Sequence, residues 1–263
     1  YPVLNVQPSA LTANMQLESI VLNWSAPSTG TPQGYNVYKN GVKIASNLAV
    51  TSYTDELLVE YTDYSYCVTA IYASDESDFS NTVHVYYFKG FDGGDGTVNN
   101  PYLISKAGQL NAVRHYLSSH FRQTANIDLG VSPWNDGKGW VPIGSSELAF
   151  TGSYDGGGFS IDNLTINNPS LGRAGLFGAA GGNVILLKNI TLNKPKVIGG
   201  NYTGALVGYL SSSVSQNVVN SVRLNDVSVS GGESNVGGVV GYAYLKGGSI
   251  QNSSITGTIS GIN

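Results

Sequence analysis

Along residues 1–88 apolar and polar positions alternate with period two, and turn signals separate the runs, which predicts short antiparallel strands. In Ser19-Ile20-Val21-Leu22-Asn23-Trp24 one face collects Ile20, Leu22 and Trp24. Gly34-Tyr35-Asn36-Val37-Tyr38-Lys39 runs into Asn40-Gly41, a dipeptide that accepts positive φ at both turn positions, and Val42-Lys43-Ile44-Ala45 returns as the partner strand. Tyr64, Tyr66, Val68 and Ala70 share one side of the next run, which turns Cys67 toward the other.

Past a glycine-rich break, FKGFDGGDGTVNNPYLIS (88–105), the pattern changes. Ser105 is a candidate N-cap, and Leu110, Val113 and Leu117 recur at helical spacing, which predicts one short helix able to cover the end of a stacked core. Beyond it the chain repeats itself. AGLFGA (174–179), GALVGY (204–209) and GGVVGY (237–242) are near-copies, and their closing glycines Gly178, Gly208 and Gly241 lie 30 and 33 residues apart. A second word, aliphatic–polar–Asn/Asp and usually aliphatic again, recurs at Ile161-Asp162-Asn163-Leu164, Leu187-Lys188-Asn189-Ile190, Leu224-Asn225-Asp226-Val227 and Ile250-Gln251-Asn252-Ser253.

Periods of this length predict stacked coils, each too small to bury its apolar face alone. Coils about 4.8 Å apart need bends that do not collide. On this reading Gly178, Gly208 and Gly241 serve as corners free of backbone sign and side chain, while Asn163, Asn189, Asp226 and Asn252 form a coil-to-coil ladder. The expected architecture is all-β: an antiparallel sandwich over 1–88, a glycine-rich junction over 89–104, and a β-solenoid with a capping helix over 105–263.

Composition agrees with strands and turns. Gly numbers 34 and Tyr 17 of 263 residues, against one Met, and 11% of residues are charged. The net charge is −4 and no basic run exists, so a nucleic-acid partner is not expected. No apolar run approaches the roughly 20 residues of a membrane helix. Cys67 is the single cysteine, so no intrachain disulfide can form. The start at Tyr1, without Met or a signal-peptide pattern, reads as a mature or trimmed piece of a longer precursor.

The first region resembles a fibronectin type III domain, through Leu22-x-Trp24 followed by Pro27, the GYNVYKNG hairpin, and Leu58-x-x-x-Thr62-x-Tyr64 leading into YCVTA. The last spacing is that family's tyrosine corner. Over about 99–260 the chain resembles the GLUG-repeat family of bacterial surface proteins. The resemblance rests on the three glycine-flanked words, WVPIG (140–144), FTGSYDGGG (150–158) and NPYLIS (100–105). It implies a right-handed β-solenoid of the kind found in secreted adhesins and beside protease domains of IgA-protease type. Two departures are SSSVSQNVVNS (211–221), which widens the third unit, and the lack of a further word after Ser260. The abrupt stop after Ser260 reads as trimming or as an unusual last coil.

The search for chemistry finds little. From Gly156 onward the acids are Asp162, Asp226 and Glu233, too few and too scattered to nominate the carboxylate pair of glycoside hydrolysis. His84, His115 and His120 show no metal spacing, GxSxG is absent, and Asp92–Asp95 lacks the closing Glu of a calcium loop. No catalytic residue, metal ligand or cofactor is therefore nominated. Ligand contact is open at Trp134, Asn135 and Asp136, where indole could stack on sugar and polar groups could bond hydroxyls. It is equally open along Tyr202, Tyr209, Tyr242 and Tyr244, an exposed stripe if the coils align and otherwise a cap on each coil's apolar edge. The leading expectation is a non-catalytic secreted or cell-surface bacterial protein that binds a host or bacterial surface protein or glycan. A carbohydrate-binding accessory module is the alternative, and a β-helix polysaccharide lyase or hydrolase the third reading.

Overall fold

A computed structural model describes residues 6–73, 75–183, 185–213, 217–232 and 234–261. The chain divides into two compact units, Tyr1–Lys89 and Gly90–Asn263. The first is a two-sheet sandwich. β1 (Ser9–Met15), β2 (Ile20–Ser25) and β5 (Ser52–Asp55) form one antiparallel sheet. β4 (Val42–Leu48), β3 (Gly34–Lys39), β6 (Thr62–Ile71) and β7 (Val83–Tyr87) form the other. Ile20, Leu22, Val37, Tyr66 and Val68 are fully buried between them, so period-two alternation places the core as expected. Asn40 (φ 50) and Gly41 (φ 79) make the predicted left-handed turn. The Tyr64 hydroxyl accepts the Val59 N–H at 2.7 Å and closes the tyrosine corner.

Two acids anchor this unit. Asp55 is buried but paired, to Lys39 Nζ at 2.9 Å and as acceptor from the Tyr66 hydroxyl at 2.7 Å. Glu76 accepts from Asn36 Nδ2 (2.8 Å), the Tyr38 hydroxyl (2.6 Å) and the Thr69 hydroxyl, and meets Lys43 at 3.3 Å. Burial alone would raise its pKa, but those bonds outweigh it and bring the carboxyl down to about 2. Cys67 is half-buried, and burial pushes its thiol up, the opposite of an activated nucleophile.

The second unit winds as a solenoid of about four turns around one core. Its first face is a parallel sheet of Tyr102–Ile104, His120–Gln123, Ser153–Asp155, Leu186–Lys188, Asn217–Asn220 and Ser249–Gln251. A second face stacks Ile127–Asp128, Ser160–Asp162 and Thr191–Asn193 onto Arg223–Gly231 and then Ser254–Gly261. The later halves of those two long strands continue a third face begun by Thr165–Asn167 and Lys196–Ile198. A fourth face holds Phe177–Gly182, Val207–Ser212 and Val240–Leu245. Tyr154, Leu187 and Val219 pair in register and are all buried, as are Ile161, Leu192 and Leu224. On the last rung Ile250 and Ile255 continue these columns but are 38% exposed.

The repeated words divide their labour differently from the expectation. Gly178, Gly208 and Gly241 stack between the paired columns Phe177/Val207/Val240 and Ala179/Tyr209/Tyr242, and none has positive φ. What they need is room. A Cβ on Gly208 would sit 2.8 Å from the Ala174 nitrogen and 2.8 Å from the Tyr202 carbonyl oxygen. On Gly241 it would sit 2.5 Å from the Thr203 nitrogen. The left-handed corners belong to the other word: Asn163 (φ 58), Asn189 (φ 53), Asp226 (φ 54) and Asn252 (φ 51), residue types that tolerate αL.

Those four corners also do not form one ladder. Asn189, Ser221 (φ 56) and Asn252 stand at the bend between the first and second faces; Asn163, Lys194 (φ 52) and Asp226 stand at the bend between the second and third. Both bends ask for the same backbone, so they share a word. The segment 211–221 holds the end of one strand and the start of the next, and its residues 214–216 lie outside the described residues.

The helix is shorter than its spacing suggests. It spans Ala107–Ala112, a 3-10 turn follows over Val113–His115, and Leu117 lies beyond both. Lys106 is the N-cap, without a side-chain cap. Ser105 has other partners: its hydroxyl donates to Asp92, and its N–H donates to Gln109 Oε1 at 2.9 Å. The glycine-rich junction is thereby tied to the helix. Leu110 and Val113 are fully buried in the solenoid core beside a Phe91/Tyr102/Tyr116/Phe121 aromatic cluster.

Two outcomes are expected. Gly208→Val should destabilise the protein by about 2–4 kcal/mol through collision; denaturation midpoints equal to wild type would contradict this. Glu76 has a depressed folded pKa, so its contribution is complete above the ordinary value of 4.5 and fades as pH falls toward about 2. Melting curves across that window should fall less steeply for Glu76→Gln than for wild type, and parallel curves would refute the assignment.

Candidate functional site

In the solenoid, carboxylates and amides on the outside of the bends are bound to one another from rung to rung. Asn163 Nδ2 donates to Asp128 Oδ1 (2.9 Å), Asn189 Nδ2 to Asp155 Oδ1 (2.9 Å), and Asn252 Nδ2 to Asn220 Oδ1 (2.9 Å). Between the corners, Asn193 Nδ2 donates to Asp162 Oδ1 (2.7 Å) while its own Oδ1 accepts from Asn225 Nδ2 (2.8 Å). These bonds join residues 31 to 35 apart, one coil each. Asp226 takes part through its backbone, donating N–H to the Thr256 hydroxyl at 3.1 Å.

The acids are correspondingly tuned. The Asn163 amide and the Gly130 N–H hold Asp128 below the usual carboxylate range. Burial would raise Asp155, but the Asn189 amide, the Gly157 N–H and Lys188 at 3.3 Å bring it below that range too. Glu233 lies outside the described residues. His120 Nδ1 is 2.7 Å from the Ser153 hydroxyl. Among the described residues no group of three or more His, Cys, Asp or Glu side chains could hold a metal ion. No helix among them is long and apolar enough to cross a membrane.

The tryptophan loop turns inward on itself. Trp140 is buried and donates Nε1–H to the Leu176 carbonyl at 3.2 Å. Trp134 is half-buried, packed on the core with its ring 6.1 Å from that of Trp140. Asn135 Nδ2 donates to the Gly130 carbonyl (2.6 Å), and Asp136 accepts from the Ser132 hydroxyl (2.7 Å). Each of the three residues thus has a contact within the loop or the core, and Asn135 and Asp136 remain exposed.

The tyrosines gather elsewhere. Tyr209 and Tyr242 are opposed across adjacent rungs and stack at 5.2 Å and 16°. Tyr202 closes on both, at 5.5 and 5.6 Å. The Arg173 guanidinium lies 4.3 Å over the Tyr209 ring, a cation–π contact that sequence spacing did not disclose because it forms only when rungs stack. Tyr202, Tyr209 and Tyr242 are all half-buried. Tyr244, 49% exposed, stands two residues further along, opposite Ser211 and near Lys246. Beside the cluster a cleft of about 440 Å³ is lined by Val141, Pro142, Leu171, Arg173 and Tyr202.

With this geometry in place, family profiles match the Fibronectin type III domain over residues 6–86 and the GLUG motif over 232–260. The chain carries a fibronectin type III domain and a GLUG motif, the latter on its β-solenoid. The matched GLUG segment contains GGVVGY, and the words at 174–179 and 204–209 take the same place in the preceding rungs. Among curated proteins the chain is similar to Halomucin of Haloquadratum walsbyi, 34% identical over 161 residues. It is also similar to a protein of Evansella cellulosilytica named "Putative Gly-rich membrane protein", 41% identical over 104 residues. These matches cover 59% and 39% of the chain but span 2% and 12% of the relatives' own lengths. Among solved structures it resembles one titled "putative immunoglobulin A1 protease from Bacteroides ovatus", at 18% identity and a TM-score of 0.45, over 65% of this chain and 61% of that one.

Proposed function

We propose that this is a non-catalytic, surface-associated extracellular protein that makes adhesive contacts through the flank of its solenoid, with the fibronectin type III unit as a spacer. The observation that carries the reading is the Tyr202/Tyr209/Tyr242 cluster with Arg173. These large aromatic side chains are gathered half-buried on a parallel sheet, and aromatics with arginine are enriched at contact surfaces. The adjoining cleft supplies a concave neighbour for a side chain or sugar ring. The two relatives, one named Halomucin and the other a Gly-rich membrane protein, support a place at the cell surface.

Against catalysis stands the state of the acids. A general acid needs a raised pKa. Asp128 and Asp155 are instead pulled down by the rung-to-rung bonds that hold the stack together. The reading as a carbohydrate-binding accessory module shifts from the tryptophan loop to the tyrosine cluster, because Asn135 and Asp136 have their partners within the loop.

A glycan array and attachment of protein-coated beads to epithelial and bacterial cells test this. Retention on at least one surface, reduced about tenfold or more by Tyr242→Ala and unchanged by Trp134→Ala, is the expected result. Retention that Tyr242→Ala weakens on no surface, or release of sugar fragments from a polysaccharide substrate, would overturn it.

A further inference from the structure

At the bend between the first and second faces a polar groove of about 560 Å³ runs along the stack, within the size range of ligand sites. Two arginines line it, Arg122 on the strand His120–Gln123 and Arg223 three rungs further along. Arg122 lies in register with Asp155, the residue that would neutralise it, but Asp155 is already engaged by Lys188, Asn189 and Gly157. Arg223 has no acid in its column at all: the in-register positions are Ser160, Thr191 and Ser254. Both side chains are exposed, and no hydrogen bond or ion pair joins either guanidinium to another described residue. On a chain of net charge −4, this groove is locally positive, since Lys188 cancels Asp155 and the two guanidiniums remain.

From this juxtaposition we infer that the groove binds an anionic polysaccharide, with Arg122 and Arg223 each holding a carboxylate or sulfate on a different sugar of the chain. Three rung spacings of about 4.8 Å separate the arginines by roughly 14 Å along the stack, too far for one monosaccharide to reach both. The floor between them carries the Thr191, Ser221 and Ser254 hydroxyls and the Asn189 and Asn252 amides, donors and acceptors suited to sugar hydroxyls. No aromatic ring lines the groove, so it has no platform for a nucleobase. A planar guanidinium fork suits carboxylate or sulfate oxygens at either end. The groove is separate from the tyrosine cluster, and its test uses different residues, so either assignment can fail alone.

Affinity electrophoresis and calorimetry with the full chain decide the matter. Alginate carries carboxylate alone and dextran sulfate carries sulfate alone; neutral dextran and poly(dT) are the comparison polymers. Wild type should bind alginate or dextran sulfate, and the one bound more tightly identifies the anion. Binding should weaken with salt, and dextran should not bind. Arg122→Gln and Arg223→Gln should each weaken Kd by about three- to tenfold, and the double variant should abolish retention while melting like wild type. Tyr242→Ala should leave this binding unchanged. The inference falls if neither anionic polysaccharide is retained, if the double variant binds as wild type does, or if poly(dT) binds more tightly than both.

Discussion

The solenoid depends on one constraint: every backbone N–H and C=O on a rung's strands must meet its partner on the rung above or below, at about 4.8 Å. A coil obeying this cannot vary its shape. Tyr154, Leu187 and Val219 therefore fall in one buried column, and Ile161, Leu192 and Leu224 in another. The same spacing forbids a side chain at Gly208, where the neighbouring backbone stands within 3 Å of any Cβ. It also places the amide of Asn193 where it can give one bond to the rung behind and take one from the rung ahead. Packing, corners and ladders are three consequences of a single repeat distance.

That constraint shapes what is left for function. Side chains pointing inward are spent on the core, and many of those at the bends are spent on ladders. What remains is the outer wall, where residues of successive rungs line up at fixed intervals. An aromatic column with an arginine over it arises this way on the fourth face, and a positively charged groove arises at the first bend. Both are built from residues tens of positions apart in the chain that the winding brings side by side. A rigid wall of this kind needs little ordering on contact, which favours binding of extended partners.

Much of this was legible in the sequence. Alternation around Ile20-Val21-Leu22-Asn23-Trp24 and the Tyr64 corner identified the sandwich, because period two and a single hydrogen-bonding phenol are local signals. The glycine-flanked words announced stacking. The roles within the words were not legible, since a glycine required for clearance and one required for positive φ are spelled alike. Nor could spacing reveal that Asn163 and Asn189 occupy different bends, because two bends of equal geometry select the same residues. The helix ended early because Tyr116 leaves the helical region to join Phe91 and Tyr102, contacts that a spacing rule for Leu110, Val113 and Leu117 cannot contain. Nor does anything local in the sequence show that the Trp134 ring packs beside Trp140.

The most direct test of the stacked-rung account is NMR mapping of backbone contacts around Leu192, which lies between Ile161 on one rung and Leu224 on the next. The account predicts close backbone contacts from Leu192 to both residues, each with the pattern of parallel strands. Antiparallel contacts to a sequence neighbour, or a partner on one side only, would contradict it.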